Sequence, residues 1–243
     1  MTVDMKTIAS ESSDFPSTLK NGLVRPVPTC IWAIGNLGIL GRQLLGFFCS
    51  TQCSGDVILR TYDLAQALRG AGIPIIGGFH SPMEKECLDL LLRGQQPIVI
   101  CPARSLQGMR IPSAWRLALD QERLLIVSPF EKRHRRATAV LAEQRNRVVA
   151  ALAAEVLVAH AGRRTKTEQL CVELLDGGTR VHVIDLPDNA HLIENGAIPI
   201  QLDHIRTMAK RFKEGAIDAF APQPNKSRIH SRSRSEHSGG GGS

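Results

Sequence analysis

The feature that most constrains the fold of this chain is the alternation of short apolar runs with segments of helical periodicity. Six runs of five to seven residues lie between residues 44 and 185. They are LLGFFCS (44–50), IPIIGG (73–78), PIVIC (97–101), LLIVS (124–128), EVLVAHA (155–161) and RVHVID (180–185). Because these runs are apolar throughout rather than alternating, they are typical of strands that helices cover on both faces.

The segments between these runs carry helix signals. The predicted helices are DVILRTYDLAQALRGAG (56–72), SPMEKECLDLLLRG (81–94), RRATAVLAEQRNRVVAALA (135–153) and KTEQLCVELLDGG (166–178). Ser81 is suited to cap the second helix, Glu84 completes a capping box, and Gly94 is placed to end it. Gly70 is placed to end the first helix. Strand–helix alternation with short glycine-containing joints predicts a single Rossmann-like, doubly wound α/β domain with a mostly parallel sheet.

Composition sets the expected domain boundaries. Residues 1–26 are polar and rich in Ser and Thr, and we expect a flexible N-terminal arm. The Rossmann-like domain is expected over residues 27–220. Residues 221–243 are rich in Ser, Arg and Gly, which predicts a disordered basic tail. The tail closes on GGGGS, which is typical of an added linker.

The charge balance favours a polyanionic partner. The formal net charge is +7 and the isoelectric point is about 9.4, with some of the excess in the tail. Such a balance is common among proteins that bind nucleic acid. No apolar stretch reaches the ~20 residues that cross a bilayer, and the first residues have no signal-peptide pattern. We therefore expect a cytoplasmic protein with no membrane partner.

The six cysteines are expected to be reduced thiols. Cys49 and Cys53 form a C-x3-C pair, but no second pair or histidine pair completes a set of zinc ligands. The chain also has neither the G-x-G-x-x-G spacing of a dinucleotide site nor a Walker A loop. The sequence therefore predicts no metal, no cofactor, no nicotinamide chemistry and no P-loop ATPase.

The carboxyl ends of the predicted strands are where a ligand is expected, because helix N-termini present free backbone amides there. The loops at these ends are CSTQCSG (49–55), GGFHSPME (77–84), CPARS (101–105) and HAGRRTKT (160–167). The second loop has the best chemistry for an anion, since Gly77 and Gly78 allow close backbone approach and Ser81 opens a helix. The alternative is that Ser81 is only an N-cap and His80 a packed loop residue.

A catalytic site is not expected. Cys49, His80, Glu84 and His160 all lie near strand ends, and a Cys–His pair is a known nucleophile arrangement. A chain with six cysteines and eight histidines places some of each there by chance. We therefore predict a non-enzymatic protein with no catalytic residues.

The densest basic segment of the predicted domain runs from Lys132 to Arg136 and continues at Arg145 and Arg147. On a helix, Arg136 and Arg147 are about three turns apart and share a side. One interpretation is a solvated helix face; the other is contact with phosphates. With one Tyr, two Trp and seven Phe, a broad base-stacking platform is not expected.

The order of these segments resembles the DprA/Smf family of DNA-processing proteins. PTCIWAIGN (28–36) followed by LLGFFCST (44–51) is similar to the family's opening motif and its strand ending in G-[ST]-R. IIGGFHSPME (75–84) stands in place of its SG-x-A-x-GID pattern, and LIENGA (192–197) is similar to its closing Leu-Ile and Gly-Ala. The most specific match is RNR, residues 145–147, before an apolar run. The resemblance covers residues 28–200.

The resemblance implies an extended Rossmann fold, binding of single-stranded DNA, a homodimer, and a recombinase as partner. It also implies that Arg145 and Arg147 open a helix beside the ligand cleft while Asn146 fixes the local turn. The alternative is that both arginines pair with carboxylates and brace the sheet edge. The expected phosphate-binding residues are Ser50, Thr51, Gly55, Gly77, Gly78, His80, Ser81, Arg104, Arg136, Arg145, Asn146, Arg147 and Lys166.

The chain departs from the family pattern in ways that keep two other functions open. Cys49-Ser50-Thr51 lacks the arginine of G-[ST]-R, and Glu84 replaces the GID aspartate. One alternative is an antitoxin or sensor subunit that neutralises a toxic effector, such as a phosphoribosyltransferase-like protein, in a defence locus. The other is a nucleotide-binding Rossmann protein, since HAGRRTKTEQL (160–170) partly resembles the P-G-G-x-G-T-x-x-E motif of lysine-decarboxylase-like proteins but lacks its glycine pair.

Overall fold

The six apolar runs all become strands of one sheet in the computed structural model, which describes residues 4–214. The strands within this range are β1 (Met5–Ala9), β2 (Cys30–Gly35), β3 (Leu45–Cys49), β4 (Ile75–Gly77), β5 (Ile98–Ile100), β6 (Leu124–Ser128), β7 (Glu155–His160), β8 (Val181–Ile184) and β9 (Ile198–Ile200). Their spatial order is β1-β2-β6-β5-β4-β3-β7-β8-β9.

Seven helices accompany the strands in the described range of the chain. They are α1 (Gly55–Ala71), α2 (Pro82–Leu92), α3 (Ser113–Asp120), α4 (Ala139–Leu152), α5 (Lys166–Asp176), α6 (Ala190–Glu194) and α7 (His204–Glu214), with short 3₁₀ helices at Ser17–Lys20, Leu37–Gly41 and Pro187–Asn189. Over residues 4–214, no helix is long and apolar enough to cross a membrane.

The sheet is parallel from β6 to β9, and only β1 and β2 run antiparallel to their neighbours. This confirms the predicted doubly wound α/β fold. The chain builds β4, β5 and β6 on one side of β3, and β7, β8 and β9 on the other. The direction of winding therefore reverses between β3 and β7, and the carboxyl ends of these two strands mark the topological switch point.

Two apolar cores lie on the two faces of the sheet. Successive side chains of β3 point to opposite faces of the sheet, so Phe47 belongs to one core and Phe48 to the other. Residues of α1, α2, α3 and α7 join Phe47, and residues of α4, α5 and the N-terminal segment join Phe48. Both faces of the central strands are covered, which explains why their sequences are apolar throughout.

The expected N-terminal arm is largely integrated into the domain. β1 pairs with β2 along its whole length, and Phe15, Leu19 and Val24 are buried in the second core. The sequence of this segment looks polar because each of its buried apolar residues stands alone between residues that are not buried. An edge strand with one buried residue in five gives no periodic signal. The expected disordered tail, residues 221–243, lies outside the described residues.

Two helix boundaries also differ from the prediction. Helix α1 continues past Gly70 to Ala71, and Gly72 is its C-cap. The φ of 72° at Gly72 is the left-handed conformation that favours glycine. Helix α4 begins at Ala139 and is capped by the Thr138 side chain, so residues 132–136 form a loop. Arg136 and Arg147 consequently do not share a helix.

A buried carboxylate joins the last helix to the sheet. Glu155, the first residue of β7, accepts hydrogen bonds from His182 Nε2 at 2.7 Å, from Arg211 Nη2 at 2.9 Å and from Arg180 Nη1 at 3.2 Å. Burial alone would raise the pKa of Glu155, but the bonds from His182 and Arg211 outweigh it and lower the pKa to about 2. Helix α7 is therefore held to the amino end of β7 by a charged network.

Replacing this carboxylate is expected to destabilise the protein. Glu155→Gln should lower the free energy of unfolding at neutral pH by ~2 kcal/mol, because Arg211 and His182 lose a charged acceptor. Since the folded pKa is depressed, the stabilisation is present above the ordinary carboxyl pKa of 4.5 and is lost as pH falls towards about 2. Urea unfolding of the variant should show a weaker loss of stability over that pH range than the wild type shows.

The matched control is Glu173→Gln, which removes a half-exposed partner of Arg147. An exposed pair contributes at most about 1 kcal/mol. Equal destabilisation by the two substitutions would contradict a special role for Glu155.

Candidate nucleic-acid interface

The loops at the carboxyl ends of β3, β4, β5, β6 and β7 lie along one edge of the sheet, and the expected ligand residues lie in these loops and in the helices that follow. We call this the carboxyl edge. Helices α1, α2, α4 and α5 begin here, and each has a side-chain N-cap: Ser54, Ser81, Thr138 and Thr165. One free backbone amide at each of these four helix N-termini is therefore bonded by a side chain of the chain itself.

The anion cradle predicted at GGFHSPME is occupied by a carboxylate of the same chain. Glu84 accepts hydrogen bonds from the backbone amides of Cys49 at 3.0 Å, His80 at 2.8 Å and Ser81 at 3.3 Å. The Ser81 hydroxyl accepts from the Glu84 amide at 3.2 Å, which completes the predicted capping box. Ser81 is thus an N-cap, as the alternative describes, and the Ser81 hydroxyl and these amides are bonded within the chain rather than free to hold a phosphate. His80 is exposed at the rim.

The two glycines of this loop make room for side chains rather than for a ligand. A Cβ on Gly78 would lie 1.7 Å from Arg145 Nη1, so the guanidinium lies directly against the backbone there. A Cβ on Gly77 would lie 3.0 Å from the Phe79 ring. Phe79 itself is buried with a φ of 47°, a left-handed conformation that is strained for a bulky residue. Gly77 and Gly78 thus serve packing at the end of β4.

Arg145 is a buried brace. It is 3% exposed and lies in the middle of α4, so it does not open a helix as expected. Its Nη1 donates a hydrogen bond to the Cys101 carbonyl oxygen at 3.1 Å. This bond joins α4 to the residue that follows β5. Its Nε donates to Asn146 Oδ1 at 2.7 Å, so Asn146 orients the guanidinium instead of fixing a turn.

Arg147 points to a different neighbour. It forms an ion pair with Glu173 on α5, with both side chains partly exposed. Arg147 pairs with a carboxylate, as the bracing alternative for the RNR motif expects, whereas Arg145 braces the end of β5 through a backbone carbonyl instead of a carboxylate.

The switch point brings Ser50 and His160 together. The Ser50 amide donates to the His160 carbonyl at 2.8 Å, and the Gly162 amide donates to Ser50 Oγ at 3.2 Å. His160 Nδ1 lies 3.1 Å from Asn189 Oδ1, while Asn189 Nδ2 donates to two backbone carbonyls. Since that amide orientation leaves Oδ1 as an acceptor, Nδ1 of His160 carries a proton. Thr51 is exposed beside this pair.

The basic side chains of the carboxyl edge lie on three loops, and all of them are exposed except Arg104, which is half-buried. We define the basic edge as Arg104 after β5, Lys132, Arg133, Arg135 and Arg136 after β6, and Arg163 and Arg164 after β7. Within residues 4–214, only Arg133 of this set lies within ion-pair distance of a carboxylate, that of Glu131 at 3.2 Å. The basic edge is therefore a positive surface whose other six side chains form no ion pair among the described residues.

The loops after β5 and β6 are fixed to each other. The Ser105 amide donates to the His134 carbonyl at 2.8 Å, and Ser128 Oγ donates to the Arg104 carbonyl at 2.7 Å. A shallow cavity of about 470 Å³ lies beside them, lined by Arg133, His134, Arg135, Arg136, Thr138, Val140 and Leu141. The basic side chains are thus carried by an ordered loop pair.

The basic edge stops before β8. Asp185, Asp188 and Asp203 follow or flank β8 and β9, and a cavity of about 400 Å³ at that end is lined by two of them, Asp185 and Asp203, with Arg60. The carboxyl edge therefore changes sign from β7 to β9.

The remaining expected residues occupy less central positions. Gly55 is the exposed first residue of α1, and Lys166, the first residue of α5, lies 3.5 Å from Glu143 on α4. Lys132, Arg133 and Arg135 belong to the densest basic segment of the sequence but were not among the expected phosphate-binding residues, and neither were Arg163 and Arg164. Their position directly after β7 and β6 was the available signal. Asn189 gave no sequence signal, because its partner His160 is distant in the chain.

The possible catalytic group does not assemble into a nucleophile. Burial raises the pKa of the Cys49 thiol, and burial also raises that of Cys53. The Glu84 carboxylate is held by three amides. Within residues 4–214 there is also no cluster of three or more side chains suited to a metal ion.

Comparison with known proteins assigns the chain to a family. The model of the family described as DNA recombination-mediator protein A matches residues 6–183. No curated protein sequence matches the chain.

Among solved structures, DNA processing protein A from Streptococcus pneumoniae superposes with a TM-score of 0.67 at 19% identity, covering 81% of this chain and 71% of that one. DNA processing protein A from Helicobacter pylori, described for its single-stranded DNA binding mode, gives 0.68 at 16% identity, covering 86% and 97%. A molybdenum cofactor binding protein from Rippkaea orientalis gives 0.50 at 13% identity, covering 71% and 98%.

These structural likenesses show the fold, and the family match covers the chain from β1 into β8. The protein therefore belongs to the DNA recombination-mediator protein A family, the DprA/Smf family that its sequence resembles.

Proposed function

We propose that the protein binds single-stranded DNA along the basic edge and acts in DNA processing without catalysing a reaction. The observation that carries the proposal is the group of exposed, largely unpaired cations on the loops after β6 and β7, with the half-buried Arg104 after β5 beside them. Strands β6 and β7 are four positions apart in the sheet, which corresponds to ~19 Å. That length accommodates several consecutive phosphates.

The choice of a single strand rests on family membership and on the Helicobacter pylori relative. Contacts to phosphates carry affinity without reading sequence. The aromatic residues nearest the edge, Phe79 and Phe130, are buried, so base stacking contributes little. Binding is therefore expected to be electrostatic and to weaken steeply with salt.

The absence of catalysis belongs to the proposal. A nucleophile needs a lowered pKa or an adjacent base, whereas the pKa of the Cys49 thiol is raised by burial. Glu84 is committed to three backbone amides and His160 Nδ1 to Asn189. These groups hold the loops in place, which suits a binding surface.

The first prediction concerns the basic edge. Arg135→Ala/Arg136→Ala should weaken binding to a labelled single-stranded oligonucleotide about tenfold at ~0.1 M salt, and should reduce the slope of log K against log salt by about 1.4. Fluorescence anisotropy over a salt series measures both quantities. It should be run on the full chain and on the chain ending at Ala221, because the basic residues of the tail are expected to attract polyanions by themselves.

The matched control removes two exposed lysines from α7, Lys210→Ala/Lys213→Ala, at equal change of charge. Its salt slope should equal that of the wild type. An equal loss in both variants would show a non-specific charge effect, and no binding by the chain ending at Ala221 would reject the proposed interface.

The second prediction separates the two arginines of RNR. Arg145→Ala should lower the free energy of unfolding by ~2 kcal/mol, because it empties the space against Gly78 and leaves the Cys101 carbonyl without its donor. Arg147→Ala should change it by less than about 1 kcal/mol, since its ion pair is exposed. Urea unfolding gives both values, and anisotropy should show near wild-type DNA binding for Arg147→Ala. If a stably folded Arg147→Ala variant loses DNA binding, the RNR motif contacts DNA and the bracing interpretation is wrong.

Protein partners remain predictions of the family resemblance: a second copy of the chain, a recombinase or a toxic effector. The homodimer is the partner that is tested most directly. Light scattering after size exclusion, over a range of concentrations, should give the mass of a dimer. A monomer mass at every concentration would reject the homodimer.

A further inference from the structure

Two cysteine sulfurs are in contact at the switch point. Cys49 is the last residue of β3, Cys53 lies in the loop before α1, and their Sγ atoms are 3.4 Å apart. Both are free thiols, and no other cysteine pair in residues 4–214 is in such contact. Since a disulfide bond is ~2.05 Å long, the two sulfurs need to approach by only about 1.4 Å.

The hydrogen bonds of the pair have a defined order. Cys53 Sγ donates to the Ser50 carbonyl at 3.3 Å. With that proton engaged, Cys53 Sγ is the acceptor in the contact and Cys49 is the donor. The two side chains are therefore oriented sulfur to sulfur by the loop backbone.

The two thiols differ in access to solvent. Cys53 is partly exposed, whereas Cys49 is 4% exposed. A soluble reagent meets Cys53 first, and Cys49 is placed to attack the Cys53 sulfur afterwards. An accessible thiol next to a resolving thiol is one feature of redox-sensitive cysteine pairs. The other feature, a lowered thiol pKa, is absent here, because burial raises the pKa of both thiols, so exchange is expected to be slow at neutral pH.

We propose that Cys49 and Cys53 are a reversible dithiol–disulfide site whose co-reactant is a low-molecular-weight disulfide. Cys53 loses its proton to solvent, and the thiolate attacks one sulfur of the co-reactant, breaking its S–S bond and releasing one thiolate, which takes up a proton. Cys49 then loses its proton and attacks Cys53 Sγ, forming the intramolecular bond and releasing the second thiol. Two electrons pass from the cysteine pair to the co-reactant, which becomes two thiols.

This site goes beyond the proposed function, but it lies in the loop that carries Ser50 and Thr51. The Ser50 amide is bonded to the His160 carbonyl, so the loop is anchored at β7. A disulfide closes a small ring around residues 50–52 and removes the bond from Cys53 to the Ser50 carbonyl. The oxidation state thus sets the conformation of a loop at the carboxyl edge.

The test uses the full native chain in glutathione buffers of increasing oxidised fraction. Samples are quenched with acid, denatured, alkylated with N-ethylmaleimide and digested with trypsin. Cleavage after Arg42 and Arg60 gives QLLGFFCSTQCSGDVILR (43–60), which contains both cysteines and no other. This peptide should lose two hydrogen atoms and take no label, while the peptides of Cys30, Cys87, Cys101 and Cys171 stay alkylated. Reduced glutathione should restore both labels.

Rate and order give independent readouts. Because burial raises the pKa of both thiols, the rate of oxidation should rise from neutral to mildly alkaline pH. Cys49→Ser should accumulate a glutathione adduct on Cys53, and Cys53→Ser should leave Cys49 unmodified. Circular dichroism confirms that each variant is folded.

Retention of both labels on 43–60 at every glutathione ratio, in folded protein, would overturn the proposal. Equally rapid modification of Cys49 in Cys53→Ser would overturn the assigned order. Neither readout involves DNA, so failure here leaves the proposed binding function untouched, and loss of DNA binding leaves this site untouched.

Discussion

The carboxylate of Glu84 is the interaction on which the carboxyl edge depends. One side chain from the first turn of α2 accepts backbone hydrogen bonds from the end of β3 and from the loop after β4. These amides sit where a Rossmann domain ordinarily receives an anionic ligand. A buried carboxylate in that place satisfies the backbone and fixes two neighbouring loops. The proposed DNA interface accordingly lies on the surface outside it.

Arg145 has the complementary role on the neighbouring helix α4. Its guanidinium lies against Gly78 and donates to the Cys101 carbonyl, so it joins α4 to the ends of β4 and β5. A cation and an anion are therefore both buried near the strand ends, each bonded to backbone. The exposed basic side chains after β6 and β7 are therefore the charges of this edge that face the solvent without such backbone partners.

Much of the fold was predictable because its signals are local. The apolar runs of β3 to β8 and the capping box of Ser81 and Glu84 are contiguous patterns, and the structure confirms them. β1 was missed because an edge strand with a single buried residue has no pattern. The candidate site was harder to predict because its contacts join distant segments. Whether Arg145 is exposed or buried depends on Gly78, which lies 67 positions earlier in the chain. Likewise, the same Glu84 that completes a capping box also binds Cys49, a residue of another strand.

The reversal of charge along the carboxyl edge has a consequence for how a flexible polyanion would lie. Attraction from the loops after β5, β6 and β7 gives way to the aspartates beside β8 and β9, so the potential along the edge has a slope. A chain of phosphates would be drawn onto one half of the edge and turned away from the other. The segment of polyanion in contact with the protein would then end where the surface charge changes sign rather than at a steric obstacle. Its length would be set by the distance from β6 to β7.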